Sequence, residues 1–203
     1  TVGTMTELCD YFKVWFSESS SLYDPLTGEK IVDQTPKQAA SHVLSTYQNL
    51  AIYIGFTCTK PSGLDNTAFF SFLQKAGHNR VYIDGSYQRL DSLRHPEEIT
   101  DDIFIVVDRI QAQKNHQRRT SESIQVSLEL GKGVAEIRDA EGRKLENLVQ
   151  GLRSKQNLRA FQHAQPNLFS FNAALGACPN CKGFGKTISI DPQKVIPDDT
   201  QSI

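Results

Sequence analysis

"DIFIVVDRI", residues 102–110, is the stretch on which the fold turns. It is the most apolar segment of the chain, and its β-branched residues favour extended backbone. A strand of that kind belongs at the centre of a sheet. "LAIYIGFTC" at 50–58 reads the same way, as a buried strand rich in β-branched and aromatic residues. Between the two lie "PSGLDN", a turn, and "TAFFSFLQKAG" at 67–77, a short helix that Gly77 stops. "RVYID" at 80–84 and "SYQRL" at 86–90 follow as two strands joined at Asp84-Gly85. Downstream, "SESIQVSLEL" at 121–130 fits two periods. Ile124, Val126, Leu128 and Leu130 alternate as in a strand, while Ile124 and Leu128 with a Ser121-Glu122 start suit a helix. "GVAEIRD" at 133–139 is a further strand, and "AEGR" turns the chain.

With 121–130 as a helix, the order over 50–139 is strand–helix–strand–strand–strand–helix–strand. That order predicts an α/β or α+β domain built on a mixed sheet. A further helix precedes it, because Thr35-Pro36 places a capping Thr before a Pro at the first helical position; it should run to about Gln48. The domain is therefore expected over 35–140, inserted between flanking segments 1–34 and 141–203. The first flank carries "TELCDYFKVWFS" at 6–17, a helix that Thr6 can cap. Its apolar face holds Leu8, Tyr11, Phe12, Trp15 and Phe16. "SSSLYDPLTGEK" links that helix onward through turn residues.

The bulk numbers narrow the function. The chain has 203 residues and a formal net charge of -1, so no global field draws it to nucleic acid or an anionic membrane. No apolar run is long enough to span a bilayer, and the N-terminus is not a signal peptide. Four cysteines stand at 9, 58, 178 and 181, a spacing that argues against a disulfide framework and for a reducing, cytoplasmic setting. A first residue other than Met and the polar close "PDDTQSI" read as a piece of something larger.

"CPNCKGFGKT" at 178–187 invites two readings. A phosphate-binding loop would need Gly at 180, four residues before Gly185-Lys186-Thr187, and residue 180 is Asn. "GFGKT" is instead a glycine turn leading into a strand, "TISI". Cys178 and Cys181 have the spacing of one half of a tetrahedral zinc site, but Cys9 and Cys58 are singletons and only His163 is near in sequence. A redox pair would open a helix, which the following glycines oppose. The reading that binds no metal therefore stands beside weak zinc binding.

"TVGTMTELCDYFKVWF", "RVYIDG", "IVVDRI", "SLELGKGVAEI" and "NLFSFNAALGACPNCKGFG" occur in this order. Together they resemble the UvrA family, the DNA-damage-recognition ATPases of the bacterial excinuclease, from the first residue to about Gly185, with a divergent patch at 50–75. A lone Cys-x-x-Cys-x-Gly-x-Gly unit also occurs in DnaJ-type chaperones, where it is repeated. The resemblance implies an internal slice of a longer protein: a UvrB-docking module inserted into part of the signature region of an ABC-ATPase-type domain. It implies that ATP and magnesium bind outside this segment, that the parent is a homodimer acting on DNA in nucleotide excision repair, and that the slice has no catalysis of its own. It also implies that Arg80 and Arg109 contact acidic residues of UvrB.

Departures from the family pattern point to a divergent paralogue. The link "LYDPLTGEK" lacks the family's Cys-x-x-Cys, and "TKPSGLDN" keeps only Lys60 of a basic loop. The thiolate partners that the family sets before "PNLFSFN" fall on Ser154 and Asn157. Lys114, Arg118 and Arg119 in "KNHQRR" form the one local basic cluster, a candidate for touching phosphate. Alternatives to protein docking are thus a DNA-contacting module of the same protein, or a stand-alone zinc or redox protein.

Overall fold

The computed structural model describes residues 7–61, 63, 65–92 and 102–186. Its elements in chain order are α1 (Leu8–Ser19), β1 (Leu22–Tyr23), β2 (Lys30–Ile31), α2 (Pro36–Thr46), β3 (Ala51–Cys58), α3 (Asn66–Lys75), β4 (Arg80–Ile83), β5 (Ser86–Arg89), β6 (Ile103–Gln111), α4 (Gln117–Leu130), β7 (Val134–Arg138) and β8 (Lys144–Val149). The chain divides into two compact units, one over 22–161 and one formed by the residues on either side of it. Thr6, expected to cap α1, and the expected strand "TISI" lie outside the described residues. Among those described, no helix is long and apolar enough to cross a membrane.

The 22–161 unit is α+β. Its six-stranded sheet has the order β5-β4-β6-β3-β7-β8, so β6 is interior as its composition requires. Both β4 and β3 pair antiparallel with β6, and β7 pairs antiparallel with β3. The expected mixed sheet is antiparallel in every described pairing, for a topological reason. Helix α3 carries the chain from β3 to β4 past β6, and α4 carries it from β6 to β7 past β3. Strands that run in the same direction therefore never become neighbours. Two interlocked split β-α-β units of this kind make the ferredoxin-like arrangement. The sheet also runs on to β8, where Glu146 and Asn147 interrupt the apolar residues, so that its sequence carries no strand signal of its own.

All three helices of this unit cover one face of the sheet. Ile52, Ile54 and Ile110 meet Val43 and Leu44 of α2 and Ile124 and Leu128 of α4. Phe56, Val81 and Ile105 meet Phe69, Phe70 and Leu73 of α3. The ambiguous segment 121–130 is thus helical: Ile124 and Leu128, four apart, are buried, whereas Val126 and Leu130 are exposed. Helix α2 opens on a complete capping box between Thr35 and Gln38, and α3 on Asp65, whose carboxylate accepts the Thr67 amide. At Gly55 the register shifts against β6, and a Cβ there would strike the Ile105 carbonyl, so only glycine lets the two central strands approach this closely.

In the other unit, α1 buries none of its residues. Phe16 stacks on Phe169 with ring centroids 5.9 Å apart, beside a short 3-10 turn at Pro166–Phe169.

Candidate functional site

The sheet face away from the helices carries the side chains of interest. Tyr53, Phe104 and Val106 are buried there, with Tyr82 and Tyr87 packed against them. The Tyr53 and Tyr87 rings lie nearly parallel, 3.8 Å between centroids. The turn after β7 closes over this raft: the Tyr82 hydroxyl donates to the Glu141 carbonyl at 2.9 Å, and the Tyr87 hydroxyl to the Asp139 carbonyl at 2.7 Å. Gly142 is required in that turn, because the Tyr82 ring fills the place a Cβ would take. Burial, with the neighbouring Tyr53, raises the Tyr87 phenol far above its ordinary pKa.

Arginines ring this raft. Arg138 places its guanidinium 4.3 Å from the Phe104 ring centroid, and Arg109 lies 5.6 Å over Tyr53. Beside Arg109 a cleft of about 560 Å³ opens, lined by His78, Asn79, Arg80, Arg89, Arg109 and Arg119 among others. Both arginines inferred from sequence therefore line one cleft, Arg80 at the start of β4 and Arg109 near the end of β6. The hairpin register sets Arg89 directly opposite Arg80, and like charges in that relation repel. No local sequence signal marks Arg89. The hairpin turn at Asp84-Gly85 fixes the pairing, so counting outward from it would have found Arg89.

The cleft's cations differ in what holds them. Arg89 pairs with Asp91 at 2.8 Å. Arg119 grips both oxygens of Asp108, at 2.8 and 2.7 Å, and Ser123 donates to the same carboxylate at 2.9 Å. Burial alone would raise the Asp108 carboxyl, but these donors outweigh it and hold it below the usual carboxylate range. Burial lowers the His78 imidazole, which favours its neutral form. Arg80 and Arg109 make no ion pair among the described residues.

The basic cluster is split. Lys114 sits in a 3-10 turn before α4, Arg118 pairs with Glu122 one helical turn on at 2.9 Å, and Arg119 belongs to the cleft. Cys178 and Cys181 share a turn, with Cys178 exposed. Amide hydrogen bonds from Cys181 and then Asn180 lower the Cys178 thiol below its ordinary pKa. Among the described residues no group of three or more His, Cys, Asp or Glu side chains is arranged to hold a metal. Ser154 and Asn157, at the expected partner positions, are committed elsewhere: Ser154 Oγ donates to Glu29 Oε2 at 2.6 Å and Asn157 Nδ2 to Asp24 Oδ2 at 2.6 Å. A structural zinc site takes four protein donors, and Ser154 and Asn157 bring no thiolate or imidazole to one.

Residues 34–141 match the UvrA interaction domain family. Along its whole length the chain is 28% identical to the UvrABC system protein A of Mycobacterium bovis and covers 22% of that protein. It is 30% identical to the protein of the same name from Mesorhizobium japonicum, covering 23% of it, and 26% identical to that from Streptomyces coelicolor, covering 21%. The chain thus spans about a fifth of the length of these curated relatives.

Proposed function

The chain belongs to the UvrA interaction domain family, and on that premise we propose that its central domain docks a UvrB-type protein in nucleotide excision repair. The observation that carries this reading is the cleft: Arg80 faces Arg89 across the hairpin, Arg109 joins them, and Arg80 and Arg109 have no carboxylate partner among the described residues. A pair of carboxylates from a partner would relieve that repulsion. Planar guanidinium forks suit the task because each can hold a carboxylate at two points. The place of Arg109 over the Tyr53 ring limits its freedom before binding, which lowers the entropy lost on docking.

The residues on either side of the 22–161 unit would belong to the ATPase signature region of a longer cytoplasmic homodimer that binds DNA, with ATP and magnesium held outside this segment. The slice itself would neither hydrolyse ATP nor retain zinc in stoichiometric amount. Direct contact of this domain with DNA is less well supported. Arg118 and Arg119 are already ion-paired. The rings of the sheet face, which a single-stranded partner would need exposed for stacking, are buried under Tyr87 and the 139–143 turn.

Parallel titrations of a UvrB protein and of duplex DNA across a range of salt separate the readings. Docking predicts saturable binding of UvrB. Binding of DNA alone, with an affinity falling steeply with salt in proportion to the phosphates neutralised, would replace docking with the DNA-contact reading.

A further inference from the structure

Three turns of this chain share one backbone frame. In each, the first carbonyl accepts the amide four residues on, and the residue donating it has positive φ. Gly28 donates to Asp24 at 2.8 Å with φ 71°, Leu158 to Ser154 at 3.1 Å with φ 61°, and Lys182 to Cys178 at 2.7 Å with φ 49°. In each, the first side chain also accepts amides from inside the turn. Asp24 accepts from Leu26 at 2.8 Å, Ser154 from Gln156 at 3.2 Å, and Cys178 from Cys181 and Asn180. The third turn carries Cys-x-x-Cys. In the first two, the same positions hold Asp24 with Thr27 and Ser154 with Asn157.

Those first two turns meet within the 22–161 unit. Asn157 Nδ2 donates to Asp24 Oδ2 at 2.6 Å, and Thr27 also hydrogen-bonds the Asp24 carboxylate. Glu29, just past the first turn, receives Ser154 Oγ at 2.6 Å and the Lys155 amide at 3.2 Å. Asp24 and Ser154 are fully buried. Two such turns brought together are how a pair of Cys-x-x-Cys units encloses a tetrahedral metal. Here the four positions offer one carboxylate, two hydroxyls and an amide, with no thiolate or imidazole; the Asp24 carboxylate bonds Thr27 and Asn157, and the Ser154 hydroxyl bonds Glu29. Leucine at 158 keeps the left-handed backbone although it carries the side-chain penalty that glycine avoids.

We propose that this is a metal-free clasp: hydrogen bonds centred on Asp24 take the place of a metal that the frame is shaped to hold. The clasp fastens the 22–31 hairpin to the 151–160 hairpin, the two ends of the unit. The Gly151 amide, which donates to Asp33 Oδ1 at 3.1 Å, adds a second tie between the same ends. The clasp makes the closure of the unit independent of metal supply and thiol redox state, and it does not depend on the docking reading.

The test uses the 203-residue chain. In a Cys178→Ser/Cys181→Ser background, Asp24→Cys, Thr27→Cys, Ser154→Cys and Asn157→Cys are introduced together. This variant is expected to bind one cobalt ion per chain with the absorption of a tetrahedral thiolate site, and its thermal midpoint is expected to rise with cobalt or zinc. The background protein should do neither, and EDTA should not move its midpoint. Lack of tetrahedral cobalt binding overturns the proposal even if the apo variant is unfolded, because a frame of this shape should fold around the metal. A second arm needs no metal. Asp24→Asn and Asn157→Asp should each lower the midpoint by about 4 °C or more, and together regain most of that loss, since the bonded pair is restored with its ends exchanged. A double variant no better than the single ones, or a background protein destabilised by EDTA, would equally overturn it.

Discussion

The two units treat their apolar residues in opposite ways. Every buried apolar residue among those described lies within 22–161, where three helices and six strands supply both sides of a core. In the flanking unit α1 has a comparable run of large side chains, yet Tyr11, Phe12, Trp15 and Phe16 are 70%, 45%, 59% and 44% exposed. The contrast teaches that an amphipathic pattern specifies a face but not its partner. The central unit contains its own partner, whereas the large side chains of α1 stay exposed.

A pair of truncations should separate the two units most strongly. Phe104→Ala, in the centre of the sheet and 1% exposed, is expected to cost roughly 3–5 kcal/mol in urea unfolding. Trp15→Ala in α1 should stay within about 0.5 kcal/mol. Equal losses would mean that α1 is a working part of the same core.

A smaller contrast lies within the central unit. Arg119→Ala strands the part-buried Asp108 and should lower the urea unfolding midpoint near neutral pH, whereas Arg118→Ala, at an exposed ion pair, should leave it essentially unchanged. The sign with pH follows from Asp108. Its folded carboxyl is held below the ordinary 3.8, so the stabilisation is complete above that value and is lost as pH falls through the lower folded pKa. The Arg119→Ala penalty should accordingly shrink in acid; a penalty that grows there would refute the pairing.

The mildest difference is chemical. Cys178 is exposed with its thiol lowered by turn amides, whereas burial raises the Cys58 thiol. Alkylation of the native protein at neutral pH should therefore modify Cys178 before Cys58, as peptide mapping can read. Faster loss of Cys58 would reverse the assignment.

Legibility in the sequence followed the same divide. β6, β3 and the Asp84-Gly85 hairpin could be read because each has strong local signals: long apolar runs, or a turn whose two central residues both take positive φ. The 121–130 segment could not be settled locally, since its alternation and its four-residue spacing coexist; only the sheet beneath it selects Ile124 and Leu128. β8 was hidden because it is an edge strand bearing Glu146 and Asn147, and edge positions need no continuous apolar run. For the cleft, family words pointed to Arg80 and Arg109, but Arg89 and the Tyr53–Tyr87 stack emerge only from register and packing. The Asp24–Asn157 contact joins residues 133 positions apart, beyond what local pattern can reveal.

Docking through Arg80 and Arg109 requires that each guanidinium grip a carboxylate of the UvrB-type partner. Calorimetric titration of UvrB into this chain and into its Arg80→Ala and Arg109→Ala variants tests it most directly. The parent chain should bind saturably, and each variant that keeps the parent's unfolding midpoint should lose roughly 2–5 kcal/mol. Unchanged affinity in both folded variants, or no binding by the parent chain, would contradict it.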